Sequence, residues 1–108
     1  MCGIAIAIGL NGRPIERVAV ERMAKSLLHR GPDDGGIYLD GAVGMGFRRL
    51  SILDLSEAGH QPMVSEDGQY VLVFNGEIFN YVELRRELES AGHVFSTHTD
   101  TEVLVHLY

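Results

Sequence analysis

With 108 residues the chain can hold one domain and its core but not two. Its 45% hydrophobic and 22% charged residues describe a soluble globular protein rather than a disordered one. A net charge of -6, with no long run among the nine Lys and Arg residues, argues against a nucleic-acid partner, since phosphate binding needs a basic face.

The chain begins Met1, Cys2, Gly3, Ile4. The apolar run Gly3 to Leu10 is far too short to span a bilayer and lacks a basic leader, so it reads as a strand and no membrane partner is expected. Ile4, Ile6 and Ile8 alternate with Ala5 and Ala7, which predicts a strand covered on both faces. Asn11-Gly12 makes a turn. Pro14 then suits the first turn of a helix with apolar positions Ile15, Val18, Ala19, Met23, Leu27 and Leu28, ending by His29. The stretch from His29 to Gly36 is too rich in Gly, Pro and Asp for regular structure and reads as a shaped loop. Asp40-Gly41 predicts a hairpin joining strands at Ile37 to Leu39 and Val43 to Phe47.

Arg48 and Arg49 interrupt the pattern that follows, and surface charge is the simplest reading of both. A polar loop from Ser56 to Pro62 leads to a hairpin turning at Glu66, Asp67 and Gly68, then to a buried strand from Tyr70 to Phe74 that delivers Asn75. Asn80 and Glu83 form a capping-box pattern for a helix with Leu84 and Leu88 inside and Gly92 as its stop. A short strand is expected from His93 to Ser96. Thr99 and Glu102 repeat the capping pattern before a helix through Val103, Leu104 and Leu107. That helix has no stop signal before Tyr108, which predicts that the domain continues beyond it.

Cys2 is the only cysteine, so no internal disulfide can form, and a reactive thiol would need the reducing cytoplasm. If Met1 is removed, Cys2 carries both a thiol and a free α-amine whose ordinary pKa of about 7.7 to 8.0 suits a general base. Nucleophile and base then share one residue, the N-terminal nucleophile arrangement. With Met1 attached, the same nitrogen is a peptide amide and cannot act as a base, so that species would be a precursor. Taken alone, Cys2 reads first as a small buried hydrophobe opening a strand, and only the rest of the chain reverses that. The five histidines show no zinc spacing and no second cysteine joins them, so no metal is expected.

Taken together, Cys2, the His29 to Gly36 loop, Arg49, the Asn75-Gly76-Glu77 turn and the Thr99-Asp100 turn resemble a known family. The chain is similar, from Met1 to Tyr108, to the N-terminal glutaminase domain of glutamine-dependent asparagine synthetases, class II amidotransferases of the N-terminal nucleophile hydrolase superfamily. The wording Arg49-Leu50-Ser51-Ile52, Gly59-His60-Gln61-Pro62 and Asn75 to Tyr81 resembles asparagine synthetases more than other class II members.

The resemblance implies an α+β fold, a four-layer αββα sandwich, of which 108 residues would be about the first half. It implies that Cys2 attacks the side-chain amide of L-glutamine, with the Asn75 side chain and Gly76 N–H as oxyanion donors, each worth about 2.7 to 4 kcal/mol of barrier. It places Arg49 on the substrate α-carboxylate, Glu77 and Asp100 on its α-ammonium, and Leu50, Ser51, Ile52 and Leu53 beside it through their backbone. His29 and Arg30 would shape the pocket and support the nucleophile strand, Arg48 would be solvated, and the His60 loop would serve a partner surface.

No cofactor is implied for these residues. ATP and Mg²⁺ are expected for a separate synthetase domain that amidates aspartate, and a homodimer is compatible with the resemblance. Bare sheet faces predict that the 108 residues alone are marginally stable or self-associate. Two other readings stay open: an N-terminal cysteine amidohydrolase or class II amidotransferase with a different acceptor, and a catalytically silent fragment with inherited motifs. Substrate tests with glutamine against other amides separate the first, and retention of Met1 favours the second.

Overall fold

The computed structural model describes residues 1–52 and 56–108; Leu53, a predicted site residue, lies outside the described residues. Three strands, β1 (Gly3–Ile8), β2 (Asp34–Asp40) and β3 (Val43–Arg49), form an antiparallel sheet of order β1-β3-β2. The β2–β3 hairpin turns through Gly41 at a φ of 52°, as the Asp40-Gly41 signal predicts. A second, two-stranded ladder pairs β4 (Met63–Val64) with β5 (Val71–Leu72) around the turn at Gly68. Helices α1 (Arg17–Ser26), α2 (Tyr81–Ser90) and α3 (Thr101–Leu107), with short 3-10 turns at Leu10–Gly12 and Glu57–Gly59, complete the described elements. Among the described residues, no helix is long and apolar enough to cross a membrane.

Helix α1 packs on one face of the large sheet, and the sheet sequence explains why. The register sets Ala5 opposite Gly46 and Ala7 opposite Gly44, so the β1–β3 part of this face carries almost no side chains, while Ile37 and Leu39 of β2 flank it. A Cβ on Gly44 would stand 2.5 Å from Val20 Cγ2, so only glycine lets the helix come this close. Val20 is fully buried there and Ala24 nearly so; removing a valine side chain from water contributes about 1.5 to 3 kcal/mol.

Several expectations are corrected. The helix begins at Arg17, leaving Pro14 and Ile15 ahead of it and Leu27 and Leu28 beyond it. Its buried side is Val20 and Ala24 rather than Val18 and Ala19, because the glycine face selects whichever helix stripe can approach most closely. β1 is not covered on both faces: Ile6 and Ile8 are 47% and 68% exposed on the side away from α1. At the other end of that same side, Phe47 is fully buried opposite Ile4 and Gly36. β2 takes in Asp34 to Gly36, which composition assigns to a loop, because β3 continues to Arg49 and supplies ladder partners for all three. The expected strand from Tyr70 to Phe74 shrinks to Val71 and Leu72, and residues 93–96 carry no strand.

Neither predicted capping box forms as expected. Asn80 and Asp100 occupy the cap positions of α2 and α3 with ψ values of 24° and -28°, close to helical, and neither side chain makes a capping bond. A capping side chain needs an extended backbone to reach back over the first turn. Glu102 instead reaches further upstream. Its carboxylate accepts from Ser96 N (2.8 Å), the Ser96 hydroxyl (3.1 Å), Thr97 N (2.6 Å) and the Thr97 hydroxyl. Gly92, with a φ of 100°, follows the end of α2, as the sequence predicts.

Burial works to raise the Glu102 pKa, but the Thr97 hydroxyl and the Ser96 and Thr97 amides favour the carboxylate more and hold it below the usual value. Because the folded-state pKa is the lower one, Glu102 stabilises the fold above its unfolded value of 4.5 and loses that contribution as the pH falls through the folded value. Thermal melts from pH 7 to pH 3 are expected to show an acid-limb loss that Glu102→Gln reduces. An unchanged pH slope in that variant would contradict this origin.

Candidate functional site

The antiparallel pairing of Gly3 with Arg48 brings the start of β1 beside the end of β3, so Cys2 sits next to Leu50. The thiol sulfur accepts a hydrogen bond from Leu50 N at 3.3 Å and lies 3.7 Å from Leu50 O, to which its proton can be donated. Leu50 therefore meets Cys2 through its peptide group. Ser51 N donates to Asp33 Oδ2 (2.8 Å), and Asp33 N donates to Arg49 O (3.0 Å). The loop after α1 is thereby stitched to the end of β3.

The same loop holds the chain at Cys2. Arg30 Nε donates to Cys2 O (3.2 Å), in keeping with a supporting role for this residue. Arg48, expected to be solvated, instead donates from Nε to Gly31 O (2.8 Å) and from Nη2 to Pro32 O (3.2 Å). The carbonyls of a Gly-Pro loop have no ladder partner, and a neighbouring guanidinium supplies the missing donors. His29 is exposed.

Arg49 is no surface arginine either. It is 7% exposed and Nη1 donates to Ser56 O (3.0 Å). Gly59 lies directly against its guanidinium, where any Cβ would collide with Nη2, so the His60 loop packs inward onto Arg49. Ser56, Glu57, Ala58 and His60 of the same loop are exposed. His60 Nδ1 contacts Asp34 Oδ2 at 2.7 Å, and Gln61 is 5% exposed.

The other wall follows β5. Phe74, Asn75, Gly76 and Glu77 run out of the small ladder toward α2, with Asn75 half-buried and Gly76 and Glu77 exposed. Asp100, 6% exposed at the start of α3, accepts a hydrogen bond from Ile78 N at 2.8 Å and so ties this turn to the helix.

Cys2, Arg49, Leu50, Ile52, Asn75, Gly76, Glu77 and Asp100 all line one cleft of about 270 Å³, near the lower end for small-molecule sites. Of the predicted residues, Ser51 does not line it, and Leu53 is outside the described residues. Met1 lines the cleft beside Cys2. Gly59, Gln61, Phe74, Thr99 and Thr101 also contribute to the wall and were not singled out as site residues; for Gly59 and Gln61 the signal was the Gly-His-Gln-Pro wording itself. Among the described residues no group of three or more His, Cys, Asp and Glu side chains converges as a metal site requires. A thiol, a guanidinium and two carboxylates in one small cleft form a charge pattern complementary to an amino-acid zwitterion presented to a nucleophile.

The chain matches the glutamine amidotransferase domain over residues 1–108. It is 47% identical over 114 residues to asparagine synthetase [glutamine-hydrolyzing] 1 of Bacillus subtilis and 46% identical over 111 residues to that organism's asparagine synthetase [glutamine-hydrolyzing] 2. It is 40% identical over 109 residues to asparagine synthetase [glutamine-hydrolyzing] 1 of Arabidopsis thaliana. Each match covers all of this chain but only 17%, 14% and 18% of the respective relative, so the chain spans less than a fifth of these proteins' length. With a full-length match to the domain and close similarity to these relatives, the chain belongs to the glutamine amidotransferase domain family.

Proposed function

We propose that the cleft binds L-glutamine and that Cys2, once Met1 is removed, hydrolyses its side-chain amide. The observation that carries this reading is the convergence of Cys2, Arg49, Asn75, Gly76, Glu77 and Asp100 on one cleft. Arg49 takes the α-carboxylate, while Glu77 and Asp100 take the α-ammonium, leaving the side-chain amide to reach the thiol. The Cys2 α-amine accepts the thiol proton as sulfur adds to the amide carbon. Asn75 and Gly76 N–H hold the resulting oxyanion. The C–N bond then breaks, the leaving nitrogen takes the proton from the α-ammonium, and ammonia departs from a thioester. Water adds to that thioester, releasing glutamate and the thiol.

The fold that suits this reading is the four-layer αββα sandwich. Helix α1 covers one face of the β1-β3-β2 sheet, and the exposed Ile6 and Ile8 leave part of the other face for a second sheet. A synthetase region outside these 108 residues would use ATP and Mg²⁺ to amidate aspartate with the ammonia; no step within these residues passes through either. The single thiol nucleophile suits a reducing cytoplasm.

Ammonia release tests the reading in the intact natural polypeptide, comparing L-glutamine with analogues that lack the α-carboxylate or the α-amine. Hydrolysis of glutamine alone is the expected result. Arg49→Lys is expected to raise KM for glutamine on the order of ten- to a hundredfold, because a point charge replaces a planar fork. Equal rates on all three compounds, or an unchanged KM in the variant, would contradict it.

A further inference from the structure

Gln61 belongs to the Gly-His-Gln-Pro segment that the proposed chemistry leaves without a role. Gln61 is almost fully buried, at 5% exposure, a costly place for a polar side chain unless it is hydrogen-bonded. It is bonded: Gln61 Oε1 accepts from Phe74 N at 2.7 Å. Phe74 lies two residues beyond the end of β5 (Val71–Leu72) and immediately before Asn75 and Gly76. Where the β4–β5 ladder stops, the side chain of Gln61 takes over as the acceptor for the backbone leading into the turn.

Gln61 can serve as an anchor because its own segment is held elsewhere. Gly59 lies against the Arg49 guanidinium, and His60 Nδ1 contacts Asp34 Oδ2 on β2 at 2.7 Å. Gln61 and Phe74 also both line the cleft with Cys2. We propose that Gln61 is a positioning residue: through Phe74 N–H it fixes the height and orientation of the Asn75–Gly76 turn relative to Cys2, and so sets the geometry of the oxyanion donors. The catalytic half of this statement rests on the glutaminase reading above; the structural half does not.

A donor displaced from the developing oxyanion weakens transition-state binding more than substrate binding, so the effect falls on kcat. The test compares Gln61→Met, of similar length but without an amide oxygen, with Gln61→Glu, which keeps an acceptor, in the intact natural polypeptide. Amide hydrogen exchange at Phe74 to Gly76 and steady-state glutamine hydrolysis are measured for each. In Gln61→Met the Phe74 amide is expected to exchange at least about tenfold faster. Its kcat is expected to fall about ten- to a hundredfold, less than for outright loss of an oxyanion donor, with KM within about threefold. Gln61→Glu should restore protection at Phe74 and most of kcat, which a merely space-filling role would not produce.

Unchanged exchange at Phe74 in Gln61→Met overturns the inference, as does lost protection with an unchanged kcat, or a loss that appears in KM. If the methionine variant does not fold, Gln61→Glu decides: retained protection and kcat within about tenfold support the anchor, and loss of both overturns it. If the unsubstituted protein releases no ammonia from glutamine, the glutaminase reading fails by itself, and exchange at Phe74 still decides whether Gln61 holds the turn.

Discussion

Alanine in place of Cys2 is expected to lower glutamine hydrolysis by roughly four orders of magnitude or more, because it removes the only group that can form the thioester. Affinity for glutamine should change by no more than about threefold, since the proposed reading puts Arg49, Glu77 and Asp100 at the far end of the substrate. The sulfur is held by the Leu50 peptide at 3.3 Å, so a serine at position 2 fills the same place but offers a far weaker nucleophile at neutral pH. Coupled glutamate detection reads the rate, and calorimetry reads the affinity. A Cys2→Ala protein retaining even a tenth of the rate would remove the thiol from the chemistry.

Asn75→Ala is expected to lower kcat about a hundred- to a thousandfold with little change in KM, the pattern of a group whose hydrogen bond forms only in the transition state. Asn75→Asp should be at least as damaging, because a carboxylate beside a developing oxyanion repels it. A loss confined to KM in Asn75→Ala would assign this residue to substrate binding instead.

What could be read from the sequence was what depends on near neighbours. The Asp40-Gly41 hairpin, the turn before Gly68 and the stop at Gly92 are local backbone decisions, and all three occur where glycine takes a positive φ. The buried side of α1 was not legible, because which stripe turns inward depends on a sheet face emptied by Gly44 and Ala7. The length of β2 was obscured by its glycines, whose strand conformation comes from pairing with Arg48 and Phe47. The same limit applies to the site. Cys2, Arg49 and Asn75 emerged from the ordered motifs of a familiar pattern, not from periodicity. The place of Arg48 does not show in the sequence because its partners are carbonyls of a distant loop, and that of Gln61 does not because its partner is a backbone amide beyond the next hairpin. Side chains that serve distant backbone leave no repeating signature.

The most direct test of a Cys2-centred glutamine site is intact mass after incubation with a diazoketone analogue of glutamine, with Cys2→Ala as control. The expected result is loss of Met1 together with one covalent adduct that the control lacks and that excess glutamine prevents. A protein that keeps Met1 and takes up no adduct would contradict it, since the Cys2 nitrogen would remain a peptide amide and the thiol would have no base on its own residue.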